Sequence, residues 1–176
     1  MNSFDVAFLA LMGNEGRYQC LPNDAGNWTS GHVNIGTLVG TCWGISAPIL
    51  AAHLGRDPTA EEMQNLSQDT AKTIAKTKFW DPYRCDDLPP EVAFQVLDAA
   101  YNGGLPAKWL QEAAGVDADG VIGDQTVAAV NAKPADKIVM LFDAARLDWM
   151  AGLGAWTSFS KSWAHRIAAN LRLAAQ

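Results

Sequence analysis

Apolar positions along this 176-residue chain recur mostly at helical spacing. Near the N-terminus Phe4, Phe8, Leu11 and Glu15 follow one another at steps of 4, 3 and 4, which puts them on one helix face. Ser3 supplies an N-cap and Gly16 the residue beyond the last turn. The pattern breaks over residues 20–46, where Pro, Asn, Asp, Gly, Thr, Ser and Trp dominate. Two β-compatible pieces, residues 32–35 and 37–40, predict one irregular hairpin within a long loop. A loop of that length inside a compact domain is usually functional. Helical signals return at Ser46 and Pro48, and Thr59 with Glu62 has the spacing of a capping box. Residues 71–79 continue the pattern up to Trp80-Asp81-Pro82. After Pro89-Pro90, the stripe Val92, Val96, Ala99 and Ala100 runs to Gly103-Gly104. Short helices are predicted over 107–113 and 125–131, and longer ones over 134–150 and 160–174. The expectation is a mainly α chain with a small irregular β-hairpin lobe near residues 20–46.

Composition adds exclusions. With 49% hydrophobic and 18% charged residues the chain can fill a core and is not disordered. No window reaches the ~18 apolar residues of a spanning helix, so stable membrane insertion is not expected. Met1-Asn2-Ser3-Phe4-Asp5 lacks a basic leader region, which predicts synthesis in the cytoplasm without a signal peptide. The formal charge of −6 argues against nucleic acid, whose phosphates call for a basic surface. Cys20, Cys42 and Cys85 have no paired metal spacing, and the histidines are scattered, so no metal is implied. Reduced thiols are the favoured state, a Cys20–Cys42 bridge being the alternative on export. Asp117-x-Asp119-Gly120 lacks the later ligands of a calcium loop and reads as a turn. The tail from Phe159 carries Lys161, Arg166 and Arg172 with no acid. It reads as a final core helix with a basic outer face, or as a membrane-disturbing amphipathic helix.

Glu15 stands on the face that the apolar residues choose. A carboxyl there is partly desolvated and stays protonated near neutral pH, as a general acid for glycosidic cleavage must. The alternative is a helix-end residue paired with Arg17. Nine residues on, Asp24 begins a glycine-rich polar loop that includes Thr29. A second carboxylate facing a buried acid, with a hydroxyl to hold water, is the arrangement of glycoside hydrolysis; an Asn-Asp turn explains Asp24 equally simply. Trp28 and Trp43 can wall sugar subsites, whereas Trp109 and Trp149 read as core. Asp98, Tyr101 and Asn102 share a helix face, either bracing the fold as a paired polar cluster or meeting the sugar chain.

The ordered motifs go further. Asn14-Glu15-Gly16-Arg17-Tyr18, Asp24-Ala-Gly-Asn-Trp-Thr29 and Gly40-Thr-Cys-Trp-Gly-Ile-Ser46 resemble glycoside hydrolase family 108, the lysozyme-like N-acetylmuramidases of phage endolysins and secretion-associated enzymes. Asp98-Ala-Ala-Tyr-Asn-Gly-Gly104, Leu110-Gln111 and Asp119-Gly-Val-Ile-Gly-Asp-Gln-Thr126 extend the resemblance into a peptidoglycan-binding half. Arg17 and Asn27 stand where the family pattern has glycine. The resemblance implies a lysozyme-like bilobed fold, with residues 1–104 catalytic and 105–176 a peptidoglycan-binding half packed as one globular unit. It implies cleavage of the β-1,4 bond between N-acetylmuramic acid and N-acetylglucosamine in bacterial peptidoglycan. Glu15 would be the acid, Asp24 and Thr29 its partners, and Tyr18, Trp28, Trp43, Asp98, Tyr101 and Asn102 substrate contacts. A monomer without cofactor is implied, reaching the periplasm and cell wall by holin- or secretion-assisted release. A lytic transglycosylase and a non-catalytic wall-binding module are the rival readings.

Overall fold

In the computed structural model, which describes residues 3–13 and 17–175, helices begin and end where local chemistry permits. Nine α-helices occur among the described residues. They are α1 (Ser3–Met12), α2 (Ala47–Leu54), α3 (Ala60–Gln64), α4 (Gln68–Ala75), α5 (Pro90–Asn102), α6 (Pro106–Ala114), α7 (Asp124–Asn131), α8 (Ala135–Ala151) and α9 (Trp156–Ala174). Both arms of the capping box at α3 are present: the Glu62 amide donates to Thr59 Oγ1 at 3.1 Å, and the Thr59 amide donates to Glu62 Oε2 at 2.8 Å. Ser67 caps α4 through the Thr70 amide. Proline occupies the first turn of α2, α5 and α6, where its missing N–H would be unsatisfied anyway. The helical pattern of residues 71–79 resolves into α4 and a following π-turn, Lys76–Trp80. That turn leaves Trp80 fully buried, with its indole N–H on Asp86 Oδ1 at 2.8 Å.

The chain divides into two compact units, residues 8–77 and residues 1–7 with 78–176. The first buries Phe8, Leu11, Val39, Ile45, Leu50, Met63 and Ile74. In it α2 rests on a 3-10 turn, Ala25–Asn27. In the second, α5, α6, α8 and α9 pack on one another, with α7 against α6 and α8. Its core holds Val96, Leu97, Leu110, Ile138 and Phe142, each worth about 1.5–3 kcal/mol when buried. Trp109 meets Phe142 edge-on at 5.9 Å. The Leu110-Gln111 motif has a structural explanation. Buried Gln111 donates to Asp119 Oδ1, to the Val121 carbonyl and to Thr126 Oγ1, and accepts from the Gly120 amide. One side chain thereby fixes the whole 117–123 turn, and the aspartate engaged there serves a turn.

The expected β-hairpin lobe over residues 20–46, the small lobe of the lysozyme-like bilobed expectation, is absent; the fold is mainly α-helical. The described residues contain no strand, only isolated bridges at Gln19–Thr41, Trp28–Leu38 and Cys42–Ile45. The backbone explains the difference. Gly31, Asn34, Gly36, Gly40, Trp43 and Gly44 all have positive φ, which interrupts any continuous ladder. Val33 and Ile35, the residues that made 32–35 look extended, are exposed and find no core face. Alternation without a surface to bury against does not produce a strand.

Candidate active site

The segment that follows Glu15 shapes a groove in the 8–77 unit. Glu15 itself, with Asn14 and Gly16, lies outside the described residues; α1 ends at Met12, where the Gly13 amide closes on the Leu9 carbonyl. The groove encloses about 450 Å³ and is lined by Arg17, Tyr18, Trp43, Asn65, Ser67 and Gln68, among others. The Arg17 guanidinium carbon stands 5.5 Å from the Trp43 ring centroid, a cation–π contact that keeps the charge over the ring face. The Trp43 indole N–H donates to the Leu66 carbonyl at 2.9 Å, tying the ring to the turn between α3 and α4. Cys42 and Ile45 exchange backbone hydrogen bonds across Trp43 and Gly44, whose φ values are 53° and 76°. Positive φ at both central residues is the pattern of a type I′ turn, which normally selects Asn or Gly. A tryptophan held there is strained, and such strain concentrates at functional sites.

Tyr18 lines the same groove and depends on a glycine. A Cβ at Gly40, which has φ +88°, would lie 2.5 Å from the Gln19 carbonyl oxygen and 2.7 Å from Tyr18 Cε2. The hydrogen bond with Cys20, together with burial, raises the Tyr18 phenol above its ordinary pKa. Burial raises Cys42 as well, against the pull of the Arg17 charge. Cys20 is exposed and Cys42 buried, and they are not bridged.

Asp24, Trp28 and Thr29 lie on the loop and do not line this groove. Asp24 caps the 3-10 turn, its Oδ1 accepting from the Gly26 amide at 2.9 Å. The turn reading of Asp24 therefore accounts for one of its oxygens. Thr29 is buried and accepts from the Thr37 amide at 3.1 Å, which leaves its hydroxyl proton to donate. Trp28 is half-buried with its indole N–H on the Pro22 carbonyl. Asn27 holds this loop together. Fully buried, its Oδ1 accepts from the Leu21 amide and its carbonyl from the amides of Val39 and Gly40. It thus pins both limbs of the loop.

The second unit holds the remaining three candidates. Asp98 is fully buried and accepts from Arg146 Nη1 at 2.7 Å, Arg166 Nη1 at 3.1 Å and Asn170 Nδ2 at 2.9 Å. Tyr101 is buried with its ring edge-on to Phe79 at 5.0 Å. Asn102 is exposed and donates to the Asp98 carbonyl, closing α5. A shared helix face thus splits into a buried ion-pair centre, a packed ring and a helix end. The residues missed from sequence were the α3–α4 turn, Asn65 to Gln68, and the partners of Asp98 on α8 and α9. The two cationic partners are arginines within α8 and α9, and neither position carries a spacing that points to Asp98. Among the described residues, no three His, Cys, Asp or Glu side chains are grouped to hold a metal ion.

Known proteins can now be set beside this geometry. The family profile described as Glycosyl hydrolase 108 matches residues 8–104. The chain belongs to glycosyl hydrolase family 108. A second profile, Predicted Peptidoglycan domain, matches residues 105–151. The family 108 chain is similar to the solved structure of Brucella abortus SagA, at 34% identity and a TM-score of 0.84, covering 98% of this chain and 93% of that one. No curated protein matches it. As a member of family 108 it is a glycoside hydrolase with muramidase-like, peptidoglycan-hydrolysing activity.

Proposed function

We propose that this enzyme cleaves the β-1,4 bond between N-acetylmuramic acid and N-acetylglucosamine, with Glu15 as general acid and Asp24 and Thr29 as its partners. The observation that carries the reading is the groove of Arg17, Tyr18 and Trp43, which opens two residues beyond Glu15 in the chain. Glu15 protonates the bridging oxygen as the glycosidic bond breaks. The Asp24 oxygen not engaged by Gly26 directs water or steadies the developing oxocarbenium charge, and the Thr29 hydroxyl donates to that water. Trp43 presents a ring face to a sugar, and Tyr18 borders it. Trp28 walls a neighbouring subsite on the loop. Asp98, Tyr101 and Asn102 act from within their own unit as braces, a role that the burial of Asp98 supports. The enzyme works outside the cytoplasmic membrane, where its substrate lies, and reaches the wall by holin- or secretion-assisted release. No helix among the described residues is long and apolar enough to cross a membrane.

The test is release of reducing ends from purified peptidoglycan by wild type, Asp24→Asn and Thr29→Val. Loss of a positioned catalytic group lowers the rate by about 10²-fold or more, so Asp24→Asn falls by that order while remaining folded. Thr29→Val falls less. Undiminished release by Asp24→Asn contradicts the assignment and favours a transglycosylase, which needs only the one acid.

A further inference from the structure

The first half of α9 carries aromatic residues that the hydrophobic core does not absorb. Trp156, Phe159 and Trp163 follow at helical spacing on one face. Phe159 is 53% exposed, and its ring stacks on Trp163 at 5.9 Å and 26°. Trp156 stands 6.1 Å from the same ring. An exposed phenylalanine stacked on a half-buried tryptophan, with half-buried Trp156 beside it, forms a partly open apolar shelf on a chain of net charge −6. Trp163 also borders a cavity of about 180 Å³, together with Asn102, Arg146, Trp149 and Arg166. That volume equals roughly six waters' share of the liquid. It is too small for a disaccharide and suits one small group.

The charge of the cavity specifies the group. Arg146 and Arg166 both converge on the single carboxylate of Asp98. Arg146 is fully buried, and its Nε and Nη2 have no hydrogen-bond partner among the described residues. Asp143, the other acid near Arg146, is pushed by burial up to about 7 and does not fully offset the second cation. Orphaned guanidinium donors beside a small cavity suit a carboxylate.

We infer that this unit contains an accessory muropeptide site, in which Trp156, Phe159 and Trp163 stack on sugar and the Arg146–Arg166 cavity receives a muropeptide carboxylate. The inference rests on peptidoglycan as the substrate. Its repeating unit joins flat sugar faces to carboxylates on the lactyl ether or the peptide stem, the pairing that the shelf and the cavity offer. Asn102, Trp163 and Arg166 come from outside the segment matched by the Predicted Peptidoglycan domain, while Arg146 and Trp149 come from within it. The site spans that boundary. A membrane surface fits less well, because Arg166 points its charge to buried Asp98.

The indole N–H signals of the tryptophans, assigned with Trp→Phe variants, read this site separately from the groove at Trp43. The full chain carrying Glu15→Gln is titrated with a disaccharide–dipeptide muropeptide, with the stem-free disaccharide bearing its lactyl carboxylate, and with chitotetraose. The Trp163 signal shifts with both carboxylate ligands at an affinity about tenfold tighter than for chitotetraose; the tighter of the two identifies the carboxylate source. Arg166→Gln abolishes that preference and Arg166→Lys retains most of it, while the Trp43 titration stays as it was, showing that the chain is folded. Phe159→Ala weakens all three ligands. A Trp163 signal that ignores every ligand, an unchanged preference in folded Arg166→Gln, or a response to phosphatidylglycerol vesicles alone overturns the site. If wild type releases no wall fragments, the peptidoglycan reading itself has failed; release with a silent Trp163 signal removes only the accessory site.

Discussion

Asp143 on α8 is 1% exposed, and neither of its carboxyl oxygens has a hydrogen-bond partner among the described residues. Burial drives its pKa from the ordinary 3.8 to about 7; Arg146 pulls it down and Asp98 pushes it up. The folded chain therefore holds a proton that the unfolded chain releases between these two values. Stability falls as pH rises through that window and is level above it. A shift of about three units corresponds to about 4 kcal/mol. Asp143→Asn carries a neutral side chain of the same shape at every pH. It should match wild type near pH 4 and exceed it at pH 8 by about that amount, a difference of roughly 2 M in the urea midpoint at ~2 kcal/mol per molar. Taking the difference between the two proteins at each pH removes every other titrating group. These include Glu62, lowered to about 2 by Arg56, and Asp119, lowered by Gln111, whose contributions vanish as pH falls through their own lower range. Equal urea midpoints for variant and wild type at pH 8 would refute the argument that an unpaired carboxylate is confined in this core.

Three further substitutions probe the groove and its supports. Gly40→Ala places a Cβ 2.5 Å from the Gln19 carbonyl oxygen at a φ of +88°, so thermal melts should show a loss of about 1–3 kcal/mol. Thr59→Ala removes one arm of the capping box and should cost about 1 kcal/mol in urea unfolding without altering the KM for wall fragments. Trp43→Ala removes the ring under Arg17 and the bond to Leu66; KM for soluble glycan fragments should rise about fivefold, on the order of 1 kcal/mol, with kcat less affected.

Helix positions were legible because each rule behind them is local. Thr59 and Glu62 announce their cap, and the prolines and glycines around α5 and α6 mark starts and stops that the structure keeps. Residues 32–35 misled because β-branched residues report a preference for extended backbone, while Asn34 and the flanking glycines decide where the chain goes. The site was legible in part. Tyr18 and Trp43 meet in one groove, although twenty-four residues separate them along the chain, and only the ordered motifs suggested it. The partners of Asp98 were beyond reach, since Arg146, Arg166 and Asn170 lie 48, 68 and 72 residues away and no spacing rule connects them. Asn27 stands where the family pattern has glycine, and its side-chain oxygen adds a bond from the Leu21 amide that a glycine could not make; the bonds from Val39 and Gly40 go to its backbone carbonyl, which any residue supplies.

The central claim is that Glu15 is the acid of a peptidoglycan hydrolase. Mass spectrometry of the soluble fragments released from purified peptidoglycan by wild type and by Glu15→Gln tests it most directly. The account predicts fragments ending in reducing N-acetylmuramic acid from wild type and at least about 10²-fold fewer from the variant. Anhydro ends, or release by Glu15→Gln at the wild-type rate, would contradict it.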